Sequence, residues 1–230
     1  MSGTVDDKYY QVIKPAGFAE RLLIAAREKI YADFLAQMQP SHDSRIADIG
    51  ISDVVTDGAN VLERNYPHLA NVTACGIGSA ENFQRAFPAV HYRQIEPNAP
   101  LPFADNTFDV ATANAVLEHV GSIANQINFV RELARIARRV FISVPHRYFP
   151  VEHHTAIPLL HYNDRSFSAA CALLGKSSWS EETNLILMTR AKLTHLAAEA
   201  APDIDATIGT TGLNLGPFSS NLYLALKKRI

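Results

Sequence analysis

Residues 105–120 read DNTFDVATANAVLEHV, and this stretch decides the fold. Within it, residues 108–113 carry apolar or small side chains on both faces, with one charge near the start, which predicts a buried strand. Asn114 ends the apolar run, and a turn then carries Glu118 and His119 into solvent or a cleft.

The next strand is predicted at residues 139–145, RVFISVP, after a charged helical segment. Strand, helix and strand in this order form a right-handed crossover in a mostly parallel sheet. Ligands of such open sheets bind beyond the carboxyl ends of the strands. The active site is therefore expected at residues 114–119 and 145–154.

The composition predicts one globular domain spanning residues 1–230. Hydrophobic residues make up 47% of the chain, and a formal net charge of −2 gives no reason to expect nucleic acid or an anionic membrane as a partner. Cys75 and Cys171 form no CxxC motif, so neither a disulfide scaffold nor a cysteine zinc site is indicated. No signal segment and no run of about 18 apolar residues occurs, which predicts a cytoplasmic protein without a membrane span.

Residues 1–40 predict a helical cover for the sheet, ended by Pro40. Apolar residues recur there at four-residue steps, as in an amphipathic helix: Phe18, Leu22, Ala26, Ile30 and Phe34.

Alternating strands and helices predict the α/β class. The first core strand is expected to end in a tight turn at Gly50, whose freedom in φ lets a ligand approach the main chain. The predicted strands cover residues 45–50, 71–77, 90–95, 204–208 and 221–226, with helices at 58–66, 79–87, 163–175 and 190–200 and a turn at 210–218.

The blocks LPFADNTFDV (residues 101–110) and NAVLEHV (114–120) together resemble the class I S-adenosylmethionine-dependent methyltransferases, in their broad small-molecule branch. Residues 139–145 and SNLYLAL (220–226) continue the resemblance, which covers about residues 16–160 and the last strand. It implies a doubly wound, seven-stranded, mostly parallel Rossmann-like sheet with an antiparallel last strand. It also implies S-adenosylmethionine as the cofactor, lying over the ends of strands one to four.

Position by position, the resemblance implies a cofactor site with two departures. The turn after the first strand would hold the methionine part, with Ser52 where the family usually has a second glycine. Gly76 stands where the family places an acid that grips both ribose hydroxyls, and Asp53, Glu81 or Glu96 could substitute for it. The predicted cofactor-binding residues are Asp48, Gly50, Ile51, Ser52, Asp53, Gly76, Ile77, Glu96, Asn114 and Ala115.

Methyl transfer needs little catalytic machinery beyond alignment of nucleophile, methyl group and sulfur. A base is required when the acceptor is a protonated oxygen or nitrogen, and His119 is the predicted base because imidazole titrates near neutrality. The alternative is that residues 117–120 begin a helix whose polar side chains satisfy nearby backbone groups.

Residues 146–183 are predicted to form a cap on the substrate side of the site. The predicted substrate-binding residues there are His146, Arg147, Glu152 and His154; the alternative is that Glu152 and His154 tie this long loop onto the core. The clustered histidines raise a metal-dependent hydrolase as a further hypothesis. No metal site is expected, because the order Glu-His-His and the neighbouring prolines do not fit a helical HExxH motif and no cysteine lies nearby.

The sequence therefore predicts methyl transfer from S-adenosylmethionine to a small organic acceptor, mainly by proximity and alignment. The alternative is a methyltransferase-fold binding or regulatory protein without turnover, because Gly76 replaces the ribose-binding acid. The acceptor atom and the oligomeric state stay open.

Overall fold

The computed structural model describes residues 18–55 and 59–229. Within them, no helix is both long enough and apolar enough to cross a membrane. Seven strands form one sheet in the order β3-β2-β1-β4-β5-β7-β6. The strands are β1 (Ile46–Ile49), β2 (Val72–Gly76), β3 (His91–Gln94), β4 (Phe108–Asn114), β5 (Ala137–Pro145), β6 (Asp205–Leu215) and β7 (Phe218–Lys227).

The sheet has the predicted doubly wound topology, which is confirmed. The first five strands pair in parallel, and β7 runs antiparallel to both of its neighbours, β5 and β6. Because β1 and β4 are adjacent while their chain connections leave in opposite directions, a crevice opens above their carboxyl ends.

Six helices flank the sheet in the described chain: α1 (Phe18–Met38), α2 (Val61–Asn65), α3 (Glu81–Ala86), α4 (Ile123–Ile136), α5 (Asp164–Leu173) and α6 (Arg190–Ala200). The crossover helix α4 begins where Ser122 Oγ accepts a hydrogen bond from the Asn125 amide. Its Val130 and Leu133 side chains are fully buried against the sheet. The segment before α1 lies outside the described residues, as does Gly58, where α2 was predicted to begin.

Helix α1 covers the sheet face formed by β5, β6 and β7. Ala26, Ile30, Phe34 and Met38 form its buried stripe. Leu22, which the sequence pattern places on the same stripe, is 39% exposed.

The C-terminal hairpin corrects two predicted boundaries. The turn predicted at residues 210–218 is mostly strand, because β6 continues to Leu215 by pairing with β7. The pairing register of β6 with β7 shifts between Thr211 and Asn214, and Gly212, with φ of +75°, lies within this shift. The glycine that predicted a turn therefore serves an irregularity within the strand.

Candidate active site

A cleft of about 920 Å³ lies above the carboxyl ends of β1 and β2. Its walls come from the segments that follow these strands, residues 49–55 and 76–80, and from the proline-rich loop 95–101. The first turns of α4, together with Val116 and His119, close the other side. The volume is within the range of about 300–1,000 Å³ typical of small-molecule and cofactor sites.

The turn after β1 brings the main chain against the cleft at Gly50. This residue has φ of +97°, and a Cβ there would lie 2.2 Å from Val116 Cγ2. The amides of Gly50 and Ile51 both donate to the Cys75 carbonyl, at 2.8 and 3.1 Å, which fixes the turn against β2. Both predicted residues line the cleft.

Ser52 and Asp53 also line the cleft, but their polar groups are engaged in holding it together. The Asn60 side chain bonds both the amide and the carbonyl of Ser52, at 2.9 and 2.8 Å. Asp53 accepts hydrogen bonds from the Phe83 amide and the Asn82 side chain at 2.8 and 3.0 Å, so it joins this turn to α3. Its carboxylate therefore has fewer lone pairs left for a ribose than a carboxylate without protein partners.

Gly76 lies at the end of β2 under the Tyr92 side chain. A Cβ at Gly76 would lie 3.0 Å from Tyr92 Oη and 3.3 Å from Ile51 Cδ1. The Tyr92 hydroxyl donates to the Gly78 carbonyl, which holds the ring in this position. A side chain at position 76 would require Tyr92 and Ile51 to move by a few tenths of an ångström, so glycine suits these close surroundings. Gly76 and the adjacent Ile77 both line the cleft as predicted.

Glu96 is the remaining candidate for the missing acid. Among the acidic side chains that line the cleft in the described chain, Asp53 and Glu132 accept hydrogen bonds from protein groups, whereas none is found for Glu96. Glu81 lies outside the cleft and pairs with Arg85 at 3.5 Å.

Asp48 does not line the cleft, which corrects its predicted contact with the cofactor. Its carboxyl group lies beside that of Glu63 on α2, and burial raises the pKa of Asp48 to about 7. Burial and the Asp48 charge raise the pKa of Glu63 well above its ordinary value. Neither Glu63 oxygen has a hydrogen-bond partner in the described chain, so the raised pKa values favour a pair that keeps a proton at neutral pH.

Asn114 and Ala115 lie behind the cleft wall rather than on it, which is a second correction. Ser143 Oγ donates to Asn114 Oδ1, and the Ala115 amide donates to the Ser143 carbonyl. The φ of +56° at Ala115 turns the chain so that Val116, next along, contacts the cleft instead.

His119 lines the cleft, but its geometry does not support the predicted general base. Its Nδ1 bonds the Asn184 carbonyl at 2.7 Å, and its Nε2 lies 3.0 Å from His154 Nε2. Burial, with the nearby His154, lowers the pKa of His119 to about 3, so the ring binds a proton weakly at neutral pH.

The predicted substrate-binding residues do not line the large cleft. Glu152 accepts hydrogen bonds from the backbone and side chains of His154 and Thr155. Burial opposes ionisation there, yet these bonds hold the pKa of Glu152 well below its usual range. Arg147 donates to the His161 and Tyr162 carbonyls and to Asp164. These contacts fit the alternative interpretation, in which the loop is tied onto the core.

His146 belongs to the same loop attachment. Its amide donates to the Ser220 carbonyl at 2.8 Å, and its Nδ1 lies 3.2 Å from the Ser219 carbonyl. Burial lowers the pKa of His146. With Glu152 and His154, it borders a small void of about 10 Å³ that also contacts Glu118.

Sequence reasoning missed several cleft residues. Tyr92 lies on the edge strand β3, where an isolated aromatic carries no signal for a ligand. Asn82, which lines the cleft, and Asn60, which bonds Ser52 beside it, act through contacts with residues 29 and 8 positions away, which sequence spacing does not reveal. The only signal was the missing acid at Gly76, which indicated that another group fills that volume.

Comparison with known proteins gives a match to one family model and a shared fold. A family model described as a methyltransferase domain matches residues 58–140. None of the curated proteins compared with the chain matches it.

Solved structures match over nearly the whole chain. A SAM-dependent methyltransferase from Aquifex aeolicus is 13% identical, with a TM-score of 0.56 and coverage of 97% of this chain and 98% of the other. The magnesium protoporphyrin IX methyltransferase from Synechocystis PCC 6803, with bound SAH, is 13% identical, with a TM-score of 0.58 and coverage of 96% and 92%.

A third structure is a complex of the Trm112 methyltransferase activator from Haloferax volcanii with a methyltransferase. It is 12% identical, with a TM-score of 0.59 and coverage of 96% of each chain. At these identities the structures establish a shared fold. The chain therefore has the fold of S-adenosylmethionine-dependent methyltransferases, and its residues 58–140 match a methyltransferase domain.

Proposed function

We propose that this protein transfers a methyl group from S-adenosylmethionine to a small organic acceptor. The observation that carries the proposal is the 920 Å³ cleft, which lies where the family binds its cofactor and is bordered by the Gly50 turn. Gly50 is exposed at that turn, and its missing Cβ makes room for Val116, which also lines the cleft.

The fit of the cofactor to the cleft depends on three groups. Gly50 and Ile51 would adjoin the amino-acid part, and the apolar loop 95–101 would cover the adenine. Glu96, an exposed residue that lines the cleft, would hold ribose hydroxyls or the adenine amino group in place of an acid at position 76, because no hydrogen bond to its carboxylate is found in the described chain. When bound, the sulfonium supplies the reactive methyl group.

The protein's contribution to the reaction is alignment and exclusion of water. Holding two reactants in line contributes about 7–11 kcal/mol to lowering a barrier, which is ample for an already activated methyl donor. No general base is assigned, since His119 is buried and engaged at both ring nitrogens. This arrangement suits an acceptor that is already deprotonated at neutral pH.

Calorimetric titration with S-adenosylhomocysteine tests the cofactor site. We expect one molecule to bind per chain, and the Glu96→Gln variant to bind about tenfold more weakly because a charged hydrogen bond is lost. Glu81→Gln is the matched control, since it removes a carboxylate outside the cleft, and its affinity should equal that of the wild type.

Two results would count against the proposal. Absence of binding at millimolar ligand would remove the cofactor site altogether. Binding without transfer of labelled methyl groups to a panel of small phenols, carboxylates and amines would favour the alternative, a binding protein without turnover. The position of Tyr92 over Gly76 is the observation that favours this alternative, because it departs from the family's ribose site.

A further inference from the structure

Glu118, His119 and His154 bring three metal-binding side chains together between the cleft and the small void. One donor atom from each lies within 4.8 Å of the others. Glu118 is 1% exposed and His119 is 4% exposed, so the group is shielded from solvent. The ring of Trp179 covers His154, with centroids 5.2 Å apart. We refer to these three residues as the EHH cluster.

Hydrogen bonds define which ring nitrogens of the EHH cluster are donors. His119 Nδ1 lies 2.7 Å from the Asn184 carbonyl and must donate to it, because a carbonyl only accepts. His154 Nδ1 lies 2.8 Å from Glu152 Oε1 and donates in the same way. In the neutral rings both Nε2 atoms therefore carry lone pairs, yet they face each other at 3.0 Å.

Two facing lone pairs require a positive charge between them. A proton on either Nε2 would supply one, forming a hydrogen bond between the two rings. That proton leaves Glu118 unexplained: both of its oxygens are buried and lack a hydrogen-bond partner in the described chain. Whether ionised or protonated, a buried carboxyl group without hydrogen-bond partners is unfavourable, and a metal ion in contact with all three residues supplies the missing partner.

We propose that Glu118, His119 and His154 bind one divalent transition-metal ion, for which zinc is the best match. Two imidazole nitrogens and one carboxylate form the ligand set of zinc sites that keep a fourth position open. Imidazole donors disfavour magnesium and calcium, which bind oxygen ligands.

The surroundings fit this assignment. Two nitrogens bound tetrahedrally at about 2.05 Å from zinc would lie about 3.3 Å apart, close to the 3.0 Å between the Nε2 atoms. Glu152 and the Asn184 carbonyl orient the two rings from behind, as second-sphere partners of metal-bound histidines do. His119 and His154 are 35 residues apart in the sequence. A local motif around residues 152–154 therefore could not identify this ligand set.

Metal titration tests the proposal without any measurement of turnover. Protein treated with EDTA and transferred to metal-free buffer is titrated with zinc chloride by calorimetry, and with cobalt chloride by visible absorption. We expect one ion per chain with a Kd of about 1 µM or lower, typical of a three-ligand buried site. Bound cobalt should give absorption bands of four-coordinate geometry, and zinc should raise the Tm.

Matched variants locate the ion. Glu118→Gln keeps the side-chain shape while removing the charge, and His154→Gln removes a ring ligand; each should weaken zinc binding at least tenfold. His195→Gln is the control, because that histidine is exposed on α6, and its affinity should match the wild type. Far-ultraviolet circular dichroism checks that each variant is folded.

Three outcomes overturn the proposal. The first is a wild-type protein that takes up no zinc at 100 µM, a result that no folding defect can explain. The second is an equal affinity in the two ligand variants and the wild type, which identifies adventitious metal only. The third is loss of binding in the His195→Gln control as well. The inference is independent of the proposed methyl transfer, because S-adenosylhomocysteine titration of zinc-free protein tests the cofactor cleft separately.

Discussion

At the scale of the residue, Gly50 shows how one missing methyl group shapes the cleft. Its φ of +97° and the 2.2 Å approach of Val116 to a hypothetical Cβ leave no low-energy position for a side chain. We expect Gly50→Ala to lower the free energy of unfolding by about 1–3 kcal/mol, measured by urea denaturation, because strain and overlap add together. Binding of S-adenosylhomocysteine should weaken in parallel.

The matched control for this substitution is Gly78→Ala. An added methyl group at position 78 meets nothing within 4 Å, although this residue also lines the cleft. Its stability should stay within about 0.5 kcal/mol of the wild type. Equal stability of the two alanine variants would show that the Gly50 turn relaxes without cost.

Residues differed in how far their roles could be predicted from sequence. The glycines at positions 50 and 76 could be predicted because a glycine at the end of a strand permits a tight turn or a close approach of the main chain to a ligand. Both line the cleft. Asp48 could not be placed, because its burial depends on Glu63, which a separate helix brings beside it. Asp53 matched a binding position by spacing, but its oxygens already bond α3.

At the scale of the element, α1 is attached to the sheet through Phe34. This side chain is 3% exposed, and its ring packs edge-on to Phe141 of β5, with centroids 5.8 Å apart. Phe34→Ala should lower the free energy of unfolding by about 3–5 kcal/mol, the usual cost of removing a buried aromatic ring, as measured by urea denaturation.

Leu22→Ala on the same helix is the control, because that side chain is 39% exposed. Its effect should be within about 0.5 kcal/mol. A similar loss in both variants would contradict a specific role of packing on β5, because alanine does not lower helix propensity.

Elements were predictable where local periodicity decides them. Helix α6 was predicted with its observed bounds, and β4 within one residue, since both have strong apolar patterns. The longer β6 was missed because its sequence is rich in glycine and threonine, and only pairing with β7 extends it. The loop 146–162 carried recognisable polar residues, but sequence alone could not distinguish contacts to a substrate from contacts within the loop.

At the scale of the whole molecule, the Asp48–Glu63 pair couples stability to pH. An unfolded carboxyl group has a pKa of about 4, whereas the pKa of Asp48 in the folded protein is about 7. Between these values the folded state binds more protons, so the pair's contribution to the free energy of unfolding decreases as pH rises from about 4 to 7.

Glu63→Gln tests this coupling, because its amide can donate to the Asp48 carboxylate and needs no shared proton. The free energy of unfolding is measured by urea denaturation at pH 4.5 and at pH 8 for both proteins. The value for the variant minus the value for the wild type should be about 1–3 kcal/mol larger at pH 8 than at pH 4.5. Glu81→Gln, an exposed site, should follow the wild type. A constant difference between Glu63→Gln and wild type at the two pH values would contradict the coupling.

Because β7 lies between β5 and β6, the sheet can be completed only after the end of the chain has been synthesised. Strands β1 to β5 can pair as they emerge, but β6 has no neighbour until residues 218–227 follow it. The same late segment supplies the Ser220 carbonyl that anchors His146 at the start of the capping loop. A nascent chain halted before residue 218 would present the long β5 edge to other chains, so a ribosomal pause there is the point of greatest risk for aggregation.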